Sequence, residues 1–510
     1  MARVAVVGAG LGGLAAAARL GTLGHSVTVF EQAETIGGKL GFVSRDGFGF
    51  DTGPSLLTLP ATYRDLFLKT GRPLEKVLDL QPVDPACHYR FGSSSGAALE
   101  LDLPNVSTSR IAAAWDDALG PGAGADWNAF LQRAARIWDL TREPFLESPL
   151  QGLGTLLRLA RPGDVRTVAP FTSLRQLGAK YLKHPAQRQF LDRYATYTGS
   201  DPRRAPAALA TVPFVEQRFG AWYVPGGLRR LGEAVHARAL ERKVEVRTSA
   251  RVTRVSTAGG RVDGVFVGDE FVPADVVVAN ADAAQVYDDL LAGDRSARAA
   301  RRRAGRATPS LSGFVLLLAL RGRTPGLRHH TVLFGDDYPT AYDAEFDAVF
   351  GTGPFAGAPR PVPDPTVYVS APDDPALRPD DDHEALFVLV NAPRHSPDGG
   401  PAGVDWRAPG LAERYADDVL AVMARRGLDV RGRVLWREIR TPADLEAATL
   451  SRGGSIYGTS SNGPRAAFLR PANRGPVDGL FLVGGSAHPG GGLPLVALSA
   501  AIVADLVGPA

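Results

Sequence analysis

Three glycines open the chain at a spacing that suits a phosphate: Gly8, Gly10 and Gly13, in the pattern G-x-G-x-x-G. Their chemistry belongs to the backbone. Gly8 permits a tight turn, Gly10 lets main-chain amides approach a pyrophosphate, and Gly13 lets a helix pack closely on a strand. Glu31 follows 23 residues after Gly8. There its carboxylate can accept hydrogen bonds from a ribose 2′-hydroxyl, and it disfavours the extra phosphate of NADP. The other chemistry-bearing residues are scattered. His488 lies in a glycine-rich turn, and Glu216 and Asp201 flank an inferred cavity segment with the aromatics Tyr197, Trp222 and Tyr223. His329 and His330 are adjacent, but no partner cluster accompanies them, so no metal site is expected. Gly485-Ser486 lacks the form of a nucleophile elbow, and no Ser/His/Asp pattern stands out.

These residues need elements to hold them. Arg3 to Val7 reads as a buried parallel strand, Ala15 to Leu23 as a helix, and Ser26 to Phe30 as a second strand ending at Glu31. Phe42 to Phe50 alternates around Asp46-Gly47, a hairpin signal. A second block runs through a helix at Leu231 to Leu240, strands at Val244 to Arg247, Arg251 to Val255 and Arg261 to Val267, and a buried run from Asp275 to Ala281. A third closes the chain with a strand at Gly479 to Gly484, a glycine-rich turn, and a helix from Leu495 to Leu506. Between the blocks lie two insertions, Lys76 to Gly220 and Ala284 to Pro464. In the first, Leu150 to Lys183 is helical and basic. In the second, Gly313 to Leu320, Thr366 to Ser370 and Ala385 to Asn391 read as strands of a sheet flooring a cavity, and Pro354 to Pro365 as an exposed loop.

The 510 residues suit two or three lobes. Hydrophobic residues at 45% and charged residues at 22% are those of a globular chain, not a disordered one. One cysteine, Cys87, excludes a disulfide framework and a cysteine-rich metal site. Net charge is +3, and only six of the 57 basic residues are lysines. The arginines are dispersed among acids, which argues against nucleic acid. No apolar run reaches the ~20 residues a bilayer requires, and the N-terminus is a poor signal peptide. A cytoplasmic location is expected.

The sequence from Gly484 to Pro494, with Gly454 to Gly458, Ala467 to Pro471, Phe50 to Pro54, Tyr197 to Pro202, Gly220 to Tyr223 and Asn280 to Asp282, resembles the bacterial carotenoid desaturases of the phytoene-desaturase type. The resemblance runs end to end. Tyr457 to Asn462 and His488 to Gly492 look most like the 3,4-desaturases of hydroxylated acyclic carotenoids and the terminal-methyl oxidases. The glycine pair Gly37-Gly38 resembles flavoproteins that carry arginine where this chain has Lys39, a change that keeps the charge and loses the bidentate fork.

What the resemblance implies is an α/β fold: a Rossmann-type FAD-binding domain in three segments (1–75, 221–290, 465–510), a mixed-sheet substrate domain (76–105, 190–220, 291–464) and a helical, membrane-contacting insertion (106–189). FAD contacts are expected at Gly8, Gly10, Leu11, Gly12, Gly13, Glu31, Gln32, Gly37, Gly38, Lys39, Gly53, Pro54, Ser55, Val252, Asn280, Gly484, Gly485, Gly492, Leu493 and Pro494. His488, Glu216 and Asp201 are the catalytic candidates, and Tyr197, Trp222 and Tyr223 the cavity lining. The implied substrate is a long polyene taken from the cytoplasmic membrane surface, with oxygen or a quinone as electron acceptor. An allylic C–H is far too weak an acid for any side chain to deprotonate. A hydride acceptor is therefore needed, and the cofactor supplies it while the protein orients the substrate. The same fold also suits a terminal-methyl oxidase, an isomerase, a desaturase of another apolar product, or a polyene-binding protein without turnover.

Overall fold

The computed structural model describes residues 1–92, 98–149, 162–353, 357–463, 466 and 470–510. The motif residues Ala467, Phe468 and Leu469, the boundary Pro464, the first residues of the loop expected at 354–365, and residues 150–161 of the basic stretch lie outside them.

Five parallel strands form the first sheet, in the order Glu245–Arg247, Ser26–Phe30, Arg3–Val7, Val276–Ala279, Leu480–Leu482. The strands come from three distant stretches of chain. Valine and alanine dominate because both faces are covered. The helix Leu11–Thr22 starts earlier than its apolar pattern suggests, directly after Gly10. Its Ala15, Ala16, Ala17 and Ala18 are wholly buried. These small side chains let it lie close to the sheet, the helix Arg229–Glu241 and the last helix, Leu493–Val507. A three-stranded antiparallel sheet, Val252–Ala258, Arg261–Val267 and Glu270–Pro273, flanks this layer.

The second large sheet has seven strands, in the order Val434–Arg440, Ser312–Arg321, His383–Ala392, Val367–Ser370, His330–Leu333, Cys87–Phe91, Leu99–Leu103. It is mixed: only His330–Leu333 and Cys87–Phe91 run parallel. Period-two alternation gives it two distinct faces. Phe314, Leu316, Leu318, Val388 and Val390 pack beneath the helix Leu411–Arg425. Val315, Leu317, Ala319, Ala385 and Phe387 face the other way, against Phe48 and Phe50. Those two phenylalanines sit on the hairpin Phe42–Arg45 and Phe48–Asp51. Asp46 and Gly47 both have positive φ, as a two-residue hairpin turn requires.

The far end of that second face is covered by helices Thr108–Leu119, Ala123–Thr141 and Pro185–Arg193. Trp115, Trp127, Phe130 and Phe190 pack on one another and on Tyr89. Between this helical layer and the hairpin, Tyr368 and Leu389 keep partial exposure on that face. The basic stretch is less free than its composition suggests. Arg175 is spent on the buried Asp192 and on Asp343, and Lys183 pairs with Asp126. No described helix is long and apolar enough to cross a membrane.

Candidate active site

Asn280 is the knot of the nucleotide end. It follows the strand Val276–Ala279, and its amide Nδ2 donates to the Gly8 carbonyl at 3.4 Å. A Cβ on Gly10 would lie 2.7 Å from that nitrogen. One on Gly484 would lie 2.4 Å from Asn280 Oδ1, and one on Gly12 3.0 Å from it. Three chain segments thus converge at backbone distance, and glycine is the residue that fits. Gly10 also bridges Gly37, and Leu11 opens the helix whose first turn carries no acid. Such an N-terminus suits an anion.

Glu31 is buried and accepts from the amides of Ala9 at 2.7 Å and Ala33 at 2.9 Å. The acid of the sequence motif therefore braces the turn, and a carboxylate keeps lone pairs beyond these two amides. Ala250 N donates to the Glu31 carbonyl, which brings Val252, at the start of its strand, alongside this turn. Gln32 points outward to the Ala448 carbonyl at 3.3 Å. Lys39, expected among the cofactor contacts, is held by protein carbonyls. Its Nζ donates to the carbonyls of Ser455 and Ile456, both at 2.8 Å. Burial lowers its pKa to about 8, with Asp282 nearby opposing the shift. Gly53 is packed so tightly that a Cβ would meet the Lys39 carbonyl at 1.9 Å.

The closing glycine turn is fixed from beneath. Asn473 Nδ2 donates to the carbonyls of Leu482 and His488, and Ser499 Oγ also donates to His488. Tyr63 Oη donates to the Leu493 carbonyl at 2.6 Å, anchoring the start of the last helix. Gly492 is its N-cap, Pro494 stands in its first turn, and a Cβ on Gly492 would meet open space. Gly484 and Gly485 complete the turn. Arg470, which the sequence reading did not single out as a site residue, is wholly enclosed here. It donates to the carbonyls of Tyr457 at 3.2 Å, Thr459 at 2.6 Å and Gly485 at 2.9 Å. Burial lowers its pKa to about 10. Its signal in the sequence is a basic residue in the quoted motif with no acid beside it. This cradle of glycines, two acid-free helix N-termini and a ribose-type carboxylate fits FAD.

The catalytic and lining candidates divide. His488 is buried, and its Nε2 lies 3.0 Å from the Ser148 carbonyl. A carbonyl only accepts, so Nε2 carries the proton and Nδ1 the lone pair. Burial lowers its pKa to about 4. Glu216 accepts from Tyr194 Oη at 2.6 Å and Tyr197 Oη at 3.1 Å, and burial raises its pKa. Tyr368 Oη links His330 Nδ1 at 2.7 Å to Ser55 Oγ at 2.6 Å, joining the Gly53-Pro54 loop to the seven-stranded sheet. The rings of His329 and His330 lie 4.4 Å apart, closer than adjacent strand positions suggest, because His329 precedes the strand. No metal-ligand group occurs among the described residues.

Two of the candidates are engaged by neighbouring groups. Asp201 is locked by Arg203, whose Nε and Nη2 both reach it and whose Nη2 also holds Asp347. That is a structural ion pair. Trp222 turns away from Tyr223, as alternation in the strand Ala221–Tyr223 demands. Its Nε1 donates to the Phe219 carbonyl, and Arg64 lies over its ring. Tyr223 points inward, but Asp374 holds its hydroxyl at 2.7 Å.

Residues 11–388 match the flavin containing amine oxidoreductases. A 4,4'-diapolycopene oxygenase of Methylomonas sp is 34% identical over 99% of this chain and 98% of its own length. A 1-hydroxycarotenoid 3,4-desaturase of Flavobacterium sp. (strain P99-3) is 30% identical over 99% of both. Among solved structures, putrescine oxidase bound to putrescine superposes with a TM-score of 0.62 at 17% identity, covering 99% of each chain, and shares the fold. The glycine cradle, Glu31 and this full-length match make the chain a member of the flavin containing amine oxidoreductase family, with FAD as its cofactor.

Proposed function

We propose that the protein oxidises a long acyclic carotenoid, removing two hydrogens to form a C=C bond. The observation that carries this is where the cofactor loops lie. The segment from Lys39 to Ser55 runs across one apolar face of the seven-stranded sheet, through Phe48 and Phe50 on Val315, Leu317 and Phe387. The full-length relative acting on a 1-hydroxycarotenoid supports the substrate class. FAD, when bound in the cradle, supplies a two-electron hydride acceptor. The part of that face left open beside the hairpin, at Tyr368 and Leu389, is proposed to orient the chain of the polyene and to exclude the water that would trap a developing allylic cation. His488, neutral at ordinary pH with its lone pair on Nδ1, is the proposed proton acceptor. Glu216 and Tyr197 are proposed to line the cavity.

The proposed division places the cofactor domain in residues 1–75, 221–290 and 465–510, with residues 106–189 as a membrane-docking layer. Phe171, 86% exposed, and the exposed Val165, Arg166, Lys180 and Lys183 support that docking. Electrons then pass to oxygen or a quinone. A second reading, oxidation of a terminal methyl group, is favoured by the relative named as an oxygenase. Liposomes loaded with an acyclic carotenoid separate the readings by product mass. Loss of two hydrogens supports desaturation, gain of oxygen supports the second reading, and recovery of unchanged substrate overturns both.

A further inference from the structure

We propose that Arg193 is a specificity-determining residue that donates hydrogen bonds to an oxygen on one end group of the polyene. This rests on the reading above for the substrate class, but not for the reaction. Buried arginines elsewhere in the chain are well supplied with acceptors. Arg238 reaches the Phe67 and Arg72 carbonyls, Thr70 and Glu241. Arg426 reaches the Leu333 and Pro365 carbonyls and Asp364.

Arg193 is 9% exposed, yet among the described residues its guanidinium makes one hydrogen bond, from Nη1 to Tyr197 Oη at 3.0 Å. Among the described residues it forms no ion pair at contact distance. A guanidinium has several further donors and no acceptor, so whatever completes it must carry lone pairs. A hydrocarbon end cannot.

The surroundings say which kind of oxygen. Arg193 lies against the rings of Tyr197, Tyr368 and Tyr89 at 5.2, 5.7 and 5.8 Å. Tyr197 Oη in turn donates a hydrogen bond to Glu216, so the cation is balanced at one remove. With that charge already met, a neutral hydroxyl or carbonyl suits the site better than a carboxylate. Tyr368, beneath the guanidinium, touches Ser55 of the cofactor loop, and both Tyr197 and Tyr368 keep partial exposure. The donors therefore border the same apolar face that takes the polyene.

The test is a binding titration of the FAD-loaded protein in detergent, followed by the polyene absorption shift. Two ligands are compared: an acyclic polyene ending in a tertiary hydroxyl, and the same polyene with a hydrocarbon end. The wild type is expected to bind the hydroxylated ligand tighter by on the order of 10- to 100-fold. Arg193→Met should bind both alike, with FAD content unchanged, and Arg193→Lys should fall between. Equal binding of both ligands by the wild type overturns the proposal, and this arm needs no variant to fold. Equal weakening of both ligands by Arg193→Met, with Arg193→Lys behaving the same, also overturns it. Because binding is read without turnover, selective binding without C=C formation would retire the desaturase reading and leave the site standing.

Discussion

Around the five-stranded sheet the site is made of backbone, whereas across the seven-stranded sheet it is made of side chains. In the first region Gly8, Gly10, Gly12 and Gly484 close on Asn280, and the buried Arg470 is consumed by three carbonyls. In the second, Arg193, Glu216, Tyr197, Tyr368 and His330 meet from separate elements, and the buried Arg193 keeps donors to spare. On the proposed reading, the first arrangement suits one constant ligand, and the second would change what it accepts by changing single side chains, without disturbing the cradle.

That contrast is broken most severely at Gly484. A Gly484→Val side chain would meet Asn280 Oδ1 and would force φ +98° on a β-branched residue. Purified protein is expected to lack FAD absorbance and to lose about 3 kcal/mol or more of stability. Next is acid sensitivity at His488. Its folded pKa is depressed from 6.5 to about 4. The stability tied to the neutral ring is therefore present above pH 6.5 and lost as pH falls through about 4. Below that window the wild type should have lost up to about 3 kcal/mol that His488→Gln does not lose, read by thermal melts across pH.

Glu216→Ala sharpens the comparison from the other side. It strips the acceptor from two tyrosine hydroxyls, for a cost of about 2 kcal/mol, while FAD stays bound. Loss of FAD from that variant would mean that the two regions are not separable. The smallest effect is expected from Tyr368→Phe. It cuts the hydroxyl link between Ser55 and His330, costing about 1 kcal/mol with FAD retained. Denaturant melts monitored by flavin fluorescence measure both.

The same difference explains what the sequence makes legible. A glycine turn is encoded locally, so Gly8 to Gly13, Gly37, Gly38 and the Gly484 to Pro494 segment can be read from spacing. The strands of the five-stranded sheet and three of the seven in the other can be read from valine-rich or alternating runs for the same reason, while Cys87–Phe91, Leu99–Leu103, His330–Leu333 and Val434–Arg440 go unread. Arg193 and Tyr197 are four residues apart at the end of a helix, yet their acid is Glu216 and their aromatic floor is Tyr89 and Tyr368. Such a group exists only after folding. Lys39 is read from its place beside the glycine pair, but its carbonyl partners lie over 400 residues away and cannot be seen in the local sequence. The opposite facing of Trp222 and Tyr223 is not legible, because a three-residue strand carries too little pattern to show which side chain faces in. Asp201 has its partner, Arg203, two residues on, and that local pairing marks it as structural.

The central claim is tested most directly without oxygen. FAD-loaded protein is mixed anaerobically with liposomes carrying an acyclic hydroxylated carotenoid, and the flavin band near ~450 nm is followed while the product is weighed. Bleaching of that band in one-to-one proportion with a product lighter by two hydrogens is the predicted result. A band that stays oxidised while the carotenoid remains unchanged would contradict the account.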